Sequence, residues 1–392
     1  MTYDFNQICD RKGTGCIKWD AYPMKTSHPD PLPMWIADMD IATPDFVVNA
    51  MKKRLEHPVF GYFQPDERFY STIIRWHRER YGVEGLTAAQ ISYQNSVLGA
   101  LSTAVEILTE KGEGVLVQTP GYAKFREIIE LRGRRVVENP LIWDGETYRL
   151  DFEDMERKIR QENIRAAVFC SPHNPTGRVW TREELERFSQ ICLSLGVTVV
   201  ADEIWADFSR KGNHIPMHSV SEGARNNTIS FYSPTKTFNL AGLVVSYGVI
   251  WNEELRKRFQ TESNLSHYNN CNALSMEASI AAYGEGGDWV DQLNRHIGKN
   301  TEYVSRYVKE QMPGVKTWEA EGTYLMWLDF SGLGLTADEV VSRCNDRAGV
   351  LLNDGRTCID NGDCCMRMNV AAPEAYVREG MKRLKEAFFS CL

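Results

Sequence analysis

Residues 166–177 read AAVFCSPHNPTG, and two later stretches show the same pattern of an apolar run followed by polar residues. These stretches are VTVVADEIW at 197–205 and TISFYSPTK at 228–236. Near-continuous apolar runs of this length are typical of strands that are buried on both faces of a sheet. Because helical patterns separate the runs, the sequence predicts an α/β fold with a largely parallel sheet.

The same alternation extends outward from this stretch. Further strands are predicted at 115–118 and 244–250, with helices at about 97–110, 121–132, 151–162 and 181–195. Thr43-Pro44 and Pro65 are placed to begin two earlier helices. After Trp251 the predicted elements are long helices near 272–284 and 288–312, a strand at 323–330, a helix at 336–348, a pair of strands near 350–352 and 365–370, and a final helix from Pro373. The change of pattern predicts a large domain at 46–288 and a smaller α+β domain formed by residues 1–45 and 289–392.

Composition narrows the class of protein. The chain has 392 residues, of which 43% are hydrophobic, and its 45 Lys and Arg against 53 Asp and Glu give a net charge of −8. This is the composition of a folded protein, and the acidic balance disfavours nucleic acid or anionic lipid as a partner. No stretch approaches the ~20 apolar residues of a membrane span, and the N-terminal residues are polar. We therefore expect a cytoplasmic protein.

The ten cysteines and eight histidines give no metal or disulfide signature. The chain has no CxxC and no HExxH, so we expect reduced thiols and no metal site. The vicinal pair Cys364 and Cys365 would point to opposite faces of a strand, and we interpret it as packing rather than a redox pair.

Three consecutive strand ends are followed by side chains that could bind a ligand or react with it: Asn174, Asp202 and Lys236. Each also fits a structural role, because Asn-Pro-Thr-Gly is good turn chemistry, an aspartate can cap a helix, and most lysines are solvated. In parallel α/β sheets, however, ligands bind at the carboxyl ends of the strands. An amide, a carboxylate and an amine at equivalent positions therefore indicate a ligand site.

These residues carry a family resemblance that spans nearly the whole chain. SPHNPTG, ADEIW and SPTK, together with WIADMD (35–40), GYFQPDE (61–67), TPGYAKF (119–125) and MRMNVAAP (366–373), resemble the aspartate-aminotransferase superfamily of pyridoxal-phosphate (PLP) enzymes of fold type I. With HIP at 214–216, the set most resembles the MalY/PatB group of cystathionine β-lyases, or C–S lyases. The resemblance implies a mainly parallel seven-stranded sheet between helices in the large domain.

The resemblance assigns the three strand-end residues. Lys236 would form the Schiff base with PLP, since an amine can exchange imines with an amino-acid substrate, and it would then take the Cα proton. Asp202 would pair with the pyridine nitrogen and keep it protonated. Asn174 would bond the ring O3′ and help to seat the substrate carboxylate.

The family resemblance also implies a phosphate-binding site. Ser233 and Thr235 would hold the phosphate through their hydroxyls. The predicted helix start at Ser96, Val97 and Leu98 would add backbone N–H groups, where the helix dipole favours an anion.

Three further residues complete the implied site. Tyr122 would stack on the ring and is a candidate proton donor to the departing thiolate. Arg367 would bind the α-carboxylate of the substrate with its bidentate fork. Tyr62 would reach the phosphate of a neighbouring subunit, which implies a homodimer with shared active sites.

Two departures from the aminotransferase pattern bear on the reaction. Trp205 stands where aminotransferases of this superfamily have a tyrosine, and Val244 where they have a phosphate-binding arginine. The sequence therefore favours β-elimination of cysteine S-conjugates, with L-cystathionine giving homocysteine, pyruvate and ammonia. A class I/II aminotransferase is the alternative, and an added role in binding a regulatory partner stays open.

The side chain of the substrate is not fixed by the sequence. Its pocket is expected to include residues 22–36 and 352–363. The second stretch carries Arg356 and three acidic residues, so the pocket could prefer a negatively or a positively charged substrate side chain.

Overall fold

The computed structural model describes residues 2–358 and 362–390. Its helices are α1 (Ile17–Asp20), α2 (Asp45–Leu55), α3 (Glu67–Tyr81), α4 (Val97–Leu108), α5 (Ala123–Leu131), α6 (Phe152–Gln161), α7 (Arg182–Ser194), α8 (Glu222–Asn226), α9 (Pro234–Thr237), α10 (Glu253–Leu265), α11 (Ala273–Glu285), α12 (Gly287–Gln311), α13 (Ala337–Ser342) and α14 (Glu374–Phe389). Its strands are β1 (Leu32–Pro33), β2 (Ile91–Gln94), β3 (Gly114–Thr119), β4 (Arg135–Pro140), β5 (Ile142–Trp143), β6 (Tyr148–Arg149), β7 (Ile164–Cys170), β8 (Thr198–Asp202), β9 (Thr228–Tyr232), β10 (Ser246–Ile250), β11 (Leu325–Asp329), β12 (Val350–Leu351), β13 (Asn353–Asp354) and β14 (Cys365–Asn369).

A seven-stranded sheet has the order β2-β10-β9-β8-β7-β3-β4. Four of its pairings are parallel, and β10 alone runs antiparallel to both of its neighbours. Alternate residues of β7 enter opposite cores: Val168 joins the core on one face, whereas Ala167 and Phe169 join the core on the other. The predicted α/β class and the mainly parallel seven-stranded sheet are confirmed.

The register of the sheet aligns the three functional strand ends. Cys170 at the end of β7 pairs with Asp202 at the end of β8, and Asp202 pairs with Phe231 near the end of β9. The short helix α9 follows β9 at once, with Ser233 as its N-cap. The loops that carry Asn174, Asp202 and Lys236 therefore leave one edge of the sheet together.

A smaller three-stranded sheet has the order β11-β14-β13. The predicted strands near 350–352 and 365–370 both exist, but they do not pair with each other. Instead β12 pairs in parallel with β1, where the Leu32 N–H donates to the Gly349 carbonyl at 2.7 Å. The N-terminal segment is thus joined to the C-terminal part of the chain, while the division into domains 46–288 and 1–45 plus 289–392 stays a prediction.

Several predicted boundaries shift by a few residues. Pro44 is the N-cap of α2, and Asp66, rather than Pro65, caps α3 by accepting the N–H groups of Arg68 and Phe69. The predicted helix 336–348 is α13 followed by a π-type turn at Arg343–Arg347.

Two negative observations apply within residues 2–358 and 362–390. No helix there combines the length and apolar content needed to cross a membrane. The nine cysteines in these ranges are free thiols, and Cys391 lies outside them.

Candidate active site

A cavity of about 310 Å³ opens at the carboxyl edge of the seven-stranded sheet. It brings together every predicted site residue but one: Lys236, Asp202, Asn174, Tyr122, Ser233, Thr235, Ser96, Val97, Leu98 and Arg367. The exception is Tyr62, whose side chain is exposed. Trp205 and Val244, the two departures noted above, also line the cavity.

Lys236 lies on α9 and points its amine into the cavity. Its Nζ donates a hydrogen bond to the Ala37 carbonyl at 2.6 Å and lies 5.8 Å from the centre of the Trp205 ring. Burial lowers the pKa of Lys236 to about 8, although the Asp38 carboxylate acts against this shift. A substantial fraction of the amine is therefore neutral, and nucleophilic, near physiological pH.

Asp202 is a buried carboxylate with 4% of its surface exposed. Its Oδ1 accepts the backbone N–H of Ile204 at 3.1 Å, which stabilises the turn at 204–207. No helix begins at Asp202 among the described residues, so it is not a helix cap. Burial raises the pKa of Asp202 from 3.8 to about 6, against the effects of the Ile204 hydrogen bond and of Lys236. Such a carboxylate is stabilised by a ligand that brings a proton or a positive charge.

Arg367 is 5% exposed and reaches the cavity from β14. It donates through Nη1 to Asn174 Oδ1 at 3.0 Å and through Nη2 to the Trp35 carbonyl at 3.2 Å. Among the residues the structure describes, its Nε has no acceptor and no carboxylate forms an ion pair with it. This buried positive charge is therefore available to a ligand carboxylate.

The N-terminus of α4 lines the cavity beside these residues. Ser96 Oγ accepts the Gly99 N–H at 3.0 Å, which leaves the hydroxyl proton free for a ligand. Across the described ranges, the N–H groups of Val97 and Leu98 have no acceptor. Two free N–H groups and a hydroxyl at a helix N-terminus suit a phosphate.

Ser233 and Thr235 line the same cavity. Ser233 Oγ donates to the Val245 carbonyl at 2.5 Å and accepts the Thr235 N–H at 3.1 Å. Its distance to Thr235 Oγ1 is 2.7 Å. Ser233 thus serves mainly as the N-cap of α9. Thr235, like Ser96, is a hydroxyl residue that lines the cavity.

Tyr122 immediately precedes α5 and lines the cavity. Its ring packs edge-on against Phe125, with ring centres 5.5 Å apart. Burial raises the pKa of Tyr122, although the charge of Arg367 acts against this shift. The phenol is therefore protonated at neutral pH and able to donate a proton.

Six further residues line the cavity, of which only Ile36 lies in a stretch expected to contribute to it: Ile36, Ala37, Asn95, Ile204, Ala241 and Val245. Ile36 and Ala37 belong to the quoted motif WIADMD, which was the available signal. Ala37 acts through its backbone carbonyl, for which the residue type gives no signal.

A buried ionic cluster fixes this motif in place. Lys18 Nζ lies 2.6 Å from Asp40 Oδ2, and both side chains are almost fully buried. Arg11 forms ion pairs with Asp38 at 2.7 Å and with Asp40 at 3.0 Å. Well-paired buried charges of this kind hold a segment in one position, because removing either partner leaves an uncompensated charge.

The expected pocket for the substrate side chain stays a prediction. Of residues 22–36, only Ile36 lines the cavity, and the described part of 352–363 contributes no lining residue. Arg356 is engaged by Asp354 and Asp338, each at 2.7 Å. Residues 359–361 of this stretch lie outside the described ranges.

The residues present fit PLP. The cavity offers an amine for an aldehyde, a buried carboxylate for a ring nitrogen and a helix N-terminus for a phosphate. The fold and these groups together define an enzyme that uses PLP.

Comparisons with known proteins give the family. The model of the family "Aminotransferase class I and II" matches residues 32–384, and the chain belongs to this family. The chain is 36% identical over 385 residues to cystathionine beta-lyase PatB of Bacillus subtilis strain 168, covering 98% of this chain and 99% of that protein. It is 30% identical over 388 residues to Protein MalY of Escherichia coli K12, covering 98% of each.

A solved structure agrees. Cystalysin of Treponema denticola, which contains a PLP cofactor, superimposes with a TM-score of 0.94 at 31% identity, over 99% of each chain. The predicted resemblance to the MalY/PatB group and the predicted dependence on PLP are confirmed.

Proposed function

We propose that this PLP-dependent enzyme is a carbon–sulfur lyase that eliminates a thiolate from Cβ of cysteine S-conjugates, converting L-cystathionine and water to homocysteine, pyruvate and ammonia. The observation that carries the proposal is one cavity holding both the Lys236 amine and the Arg367 guanidinium, in a chain that matches a cystathionine β-lyase along almost its whole length.

Substrate binding uses Arg367 and Asn174. The guanidinium binds the α-carboxylate, and its Nη1 bond to Asn174 Oδ1 holds both side chains in the orientation this requires. The burial of Arg367 strengthens this charge interaction relative to one in water.

Lys236 and Asp202 are the residues that take or hold protons during the reaction. PLP, when bound, supplies an aldehyde and an aromatic ring that accepts the electron pair released at Cα. Asp202 holds a proton at the ring nitrogen. The Lys236 amine, with its pKa lowered by burial, takes the proton from Cα.

The departing thiolate requires a proton, and Tyr122 is our candidate donor. Its phenol lines the cavity and is protonated at neutral pH, because burial raises its pKa. After transfer, the nearby charge of Arg367 stabilises the phenolate.

We also propose a homodimer in which Tyr62 reaches the phosphate in the partner's site. Tyr62 belongs to a run of exposed apolar side chains that includes Val59, Phe60 and Phe63. Contiguous exposed apolar surface of this kind is typical of protein interfaces.

A class I/II aminotransferase is the second candidate, and the description of the matched family favours it. It uses the same groups up to removal of the Cα proton and differs in where a proton returns. Trp205 and Val244 replace two residues of the aminotransferase pattern, which supports elimination.

The test is a panel of S-substituted cysteines, including L-cystathionine, in which pyruvate and free thiol are both measured. We expect equal amounts of the two products, and Lys236→Ala serves as the blank. That variant should also lose the covalent yellow chromophore and the borohydride-stable label at residue 236. Turnover that needs a keto acid and releases no thiol would instead establish an aminotransferase.

A further inference from the structure

Four successive backbone carbonyls, those of residues 35–38, each accept a hydrogen bond from a buried or cavity-lining side chain. We call residues 35–38 the carbonyl segment. The donors are Arg367 to Trp35 at 3.2 Å, Asn369 to Ile36 at 2.8 Å, Lys236 to Ala37 at 2.6 Å, and both Asn369 and Lys18 to Asp38 at 2.8 Å. The amine and the guanidinium of the site are therefore attached to carbonyls two residues apart.

Asn369 holds the segment between these two attachment points. Its Nδ2 bridges the Ile36 and Asp38 carbonyls, and its Oδ1 accepts the Ala371 N–H at 2.8 Å. The side chain is 1% exposed and uses both ends of the amide, so it has one orientation. Arg367 and Asn369 are two residues apart in β14, which places both side chains on the same face of the strand.

We propose that Asn369 is a positioning residue that fixes the Lys236 amine relative to the Arg367 guanidinium by clamping the carbonyl segment. The inference rests on the proposed function, in which Arg367 binds the α-carboxylate and Lys236 takes the proton from the adjacent Cα.

The geometry explains why this distance matters. The carboxylate and the Cα hydrogen belong to the same substrate carbon, so the groups that bind them must keep a fixed separation. A misplacement of about 1 Å costs on the order of 100-fold in rate. Without Asn369, the Ile36 and Asp38 carbonyls lose their common donor, while the Asp38 N–H still donates to Ile36 and Lys18 still donates to Asp38. The Ala37 carbonyl between them is then held less firmly against Lys236.

The test compares Asn369→Ala with Asn300→Ala. Asn300 is a matched control because it is also buried, and its Nδ2 also bridges two backbone carbonyls, those of Val370 at 2.9 Å and Ala372 at 3.0 Å. Neither carbonyl belongs to the cavity lining. Asn369→Ser, which keeps one hydroxyl donor, provides a milder change if the alanine variant folds poorly.

The first readout is equilibrium binding to the holoenzyme of 2-aminoisobutyrate, which has a carboxylate but neither a Cα hydrogen nor a leaving group. Binding is followed by the absorbance of the bound cofactor. We expect Asn369→Ala to raise Kd by about tenfold, the equivalent of one charge-assisted hydrogen bond, with an intermediate rise for Asn369→Ser.

The second readout is the pH profile of kcat for pyruvate release. The groups that face the Lys236 amine are the Ala37 carbonyl, Asp38, Arg367 and Asp202. A carbonyl acceptor stabilises the protonated amine, so its loss lowers the pKa of Lys236 and moves the acidic limb to lower pH. The plateau should fall on the order of 100-fold.

The proposal is tested by comparing the Asn369 variants with Asn300→Ala in both readouts. Both effects in the Asn369 variants, with Asn300→Ala close to wild type in Kd and in pH profile, support the proposal. Equal effects in both alanine variants, or none in either, would overturn it and assign Asn369 to general stability. If the wild type releases no pyruvate, the lyase assignment fails, while the binding experiment still tests Asn369 independently.

Discussion

At the scale of single residues, Asp202 is the side chain in which function opposes stability. In the folded chain without ligand, burial raises the pKa of Asp202 from 3.8 to about 6. The folded state then binds more protons than the unfolded state between these values, so this group makes stability fall as pH rises from about 4 to about 6. At pH 7 the ionised carboxylate costs on the order of 3 kcal/mol.

We therefore predict that Asp202→Asn stabilises the cofactor-free protein at pH 7 by up to about 3 kcal/mol and lowers the rate of pyruvate release by at least about 100-fold. Urea unfolding of the cofactor-free protein at pH 4 and pH 7 measures the first effect, which should vanish at pH 4. A variant that is no more stable at pH 7 would mean that the carboxylate is already compensated in the folded chain.

Arg367 gives the second prediction at this scale. Lysine keeps the charge but cannot form the two parallel bonds of a guanidinium or maintain both the Asn174 and Trp35 contacts. We expect Arg367→Lys to raise KM for L-cystathionine by about 10–100-fold, the loss of one or two charged hydrogen bonds, with a smaller change in kcat. Steady-state kinetics on the loaded enzyme provide the measurement, and an unchanged KM would place the carboxylate elsewhere.

The sequence anticipated the residues whose side chains carry the chemistry, because an amine, a carboxylate and a guanidinium are visible as residue types. It could not anticipate Ala37, which acts through its carbonyl, or the ion pair between Arg356 and Asp338, which lies 18 residues away. Both depend on which distant segments meet, and a local pattern contains no such information.

At the scale of elements, the four-residue helix α9 is too short to be stable by itself. Asp207, in the loop after β8, anchors it: this carboxylate accepts the Thr237 hydroxyl at 2.7 Å, the Tyr81 hydroxyl at 2.6 Å and the Trp76 indole N–H at 3.0 Å. The anchor ties the helix that carries Lys236 to α3.

We predict that Thr237→Val weakens the retention of PLP and costs about 1–3 kcal/mol of stability, because a buried carboxylate loses a donor. Thr301→Val is the matched control, since Thr301 is equally buried and donates only to the Ile297 carbonyl of its own helix. Urea unfolding and the rate of cofactor loss on dilution measure the two effects. Equal PLP retention in both variants would show that α9 does not depend on Asp207.

Elements were predicted where apolar periodicity was strong and missed where it was weak. Strand β2, with the sequence ISYQ, is fully buried although it is half polar, because Gln94 bonds Ser92, Ser263 and Asn269. Strand β4 and helix α10 are rich in charged residues and were also missed. In each case tertiary hydrogen bonds or neighbouring elements stabilise a segment whose own pattern is weak.

At the scale of the whole molecule, the proposed role of the exposed Tyr62 in the partner's site can be tested with hybrid dimers, in which each subunit carries a different inactivating substitution. If Tyr62 serves the partner's site, a hybrid of one Tyr62→Ala subunit and one Lys236→Ala subunit contains one native site. Co-expression of the two variants should then recover about a quarter of native sites.

Activity at limiting PLP, with subunit stoichiometry from light scattering, provides the measurement, and each variant expressed alone is the control. Recovery no greater than the sum of the two variants alone would show that Tyr62 does not act across a subunit boundary.

The attachment of Arg367 to Trp35 joins positions 332 residues apart in the chain. At a synthesis rate of about 5–20 residues per second, the ribosome makes the second partner roughly 17–66 s after the first. During that interval the carbonyl segment, which flanks the amine, has been synthesised without its partners Arg367 and Asn369. The wall beside Lys236 can therefore close only after Arg367 has been synthesised, so the pocket is finished only after all seven strands of the large sheet have been made.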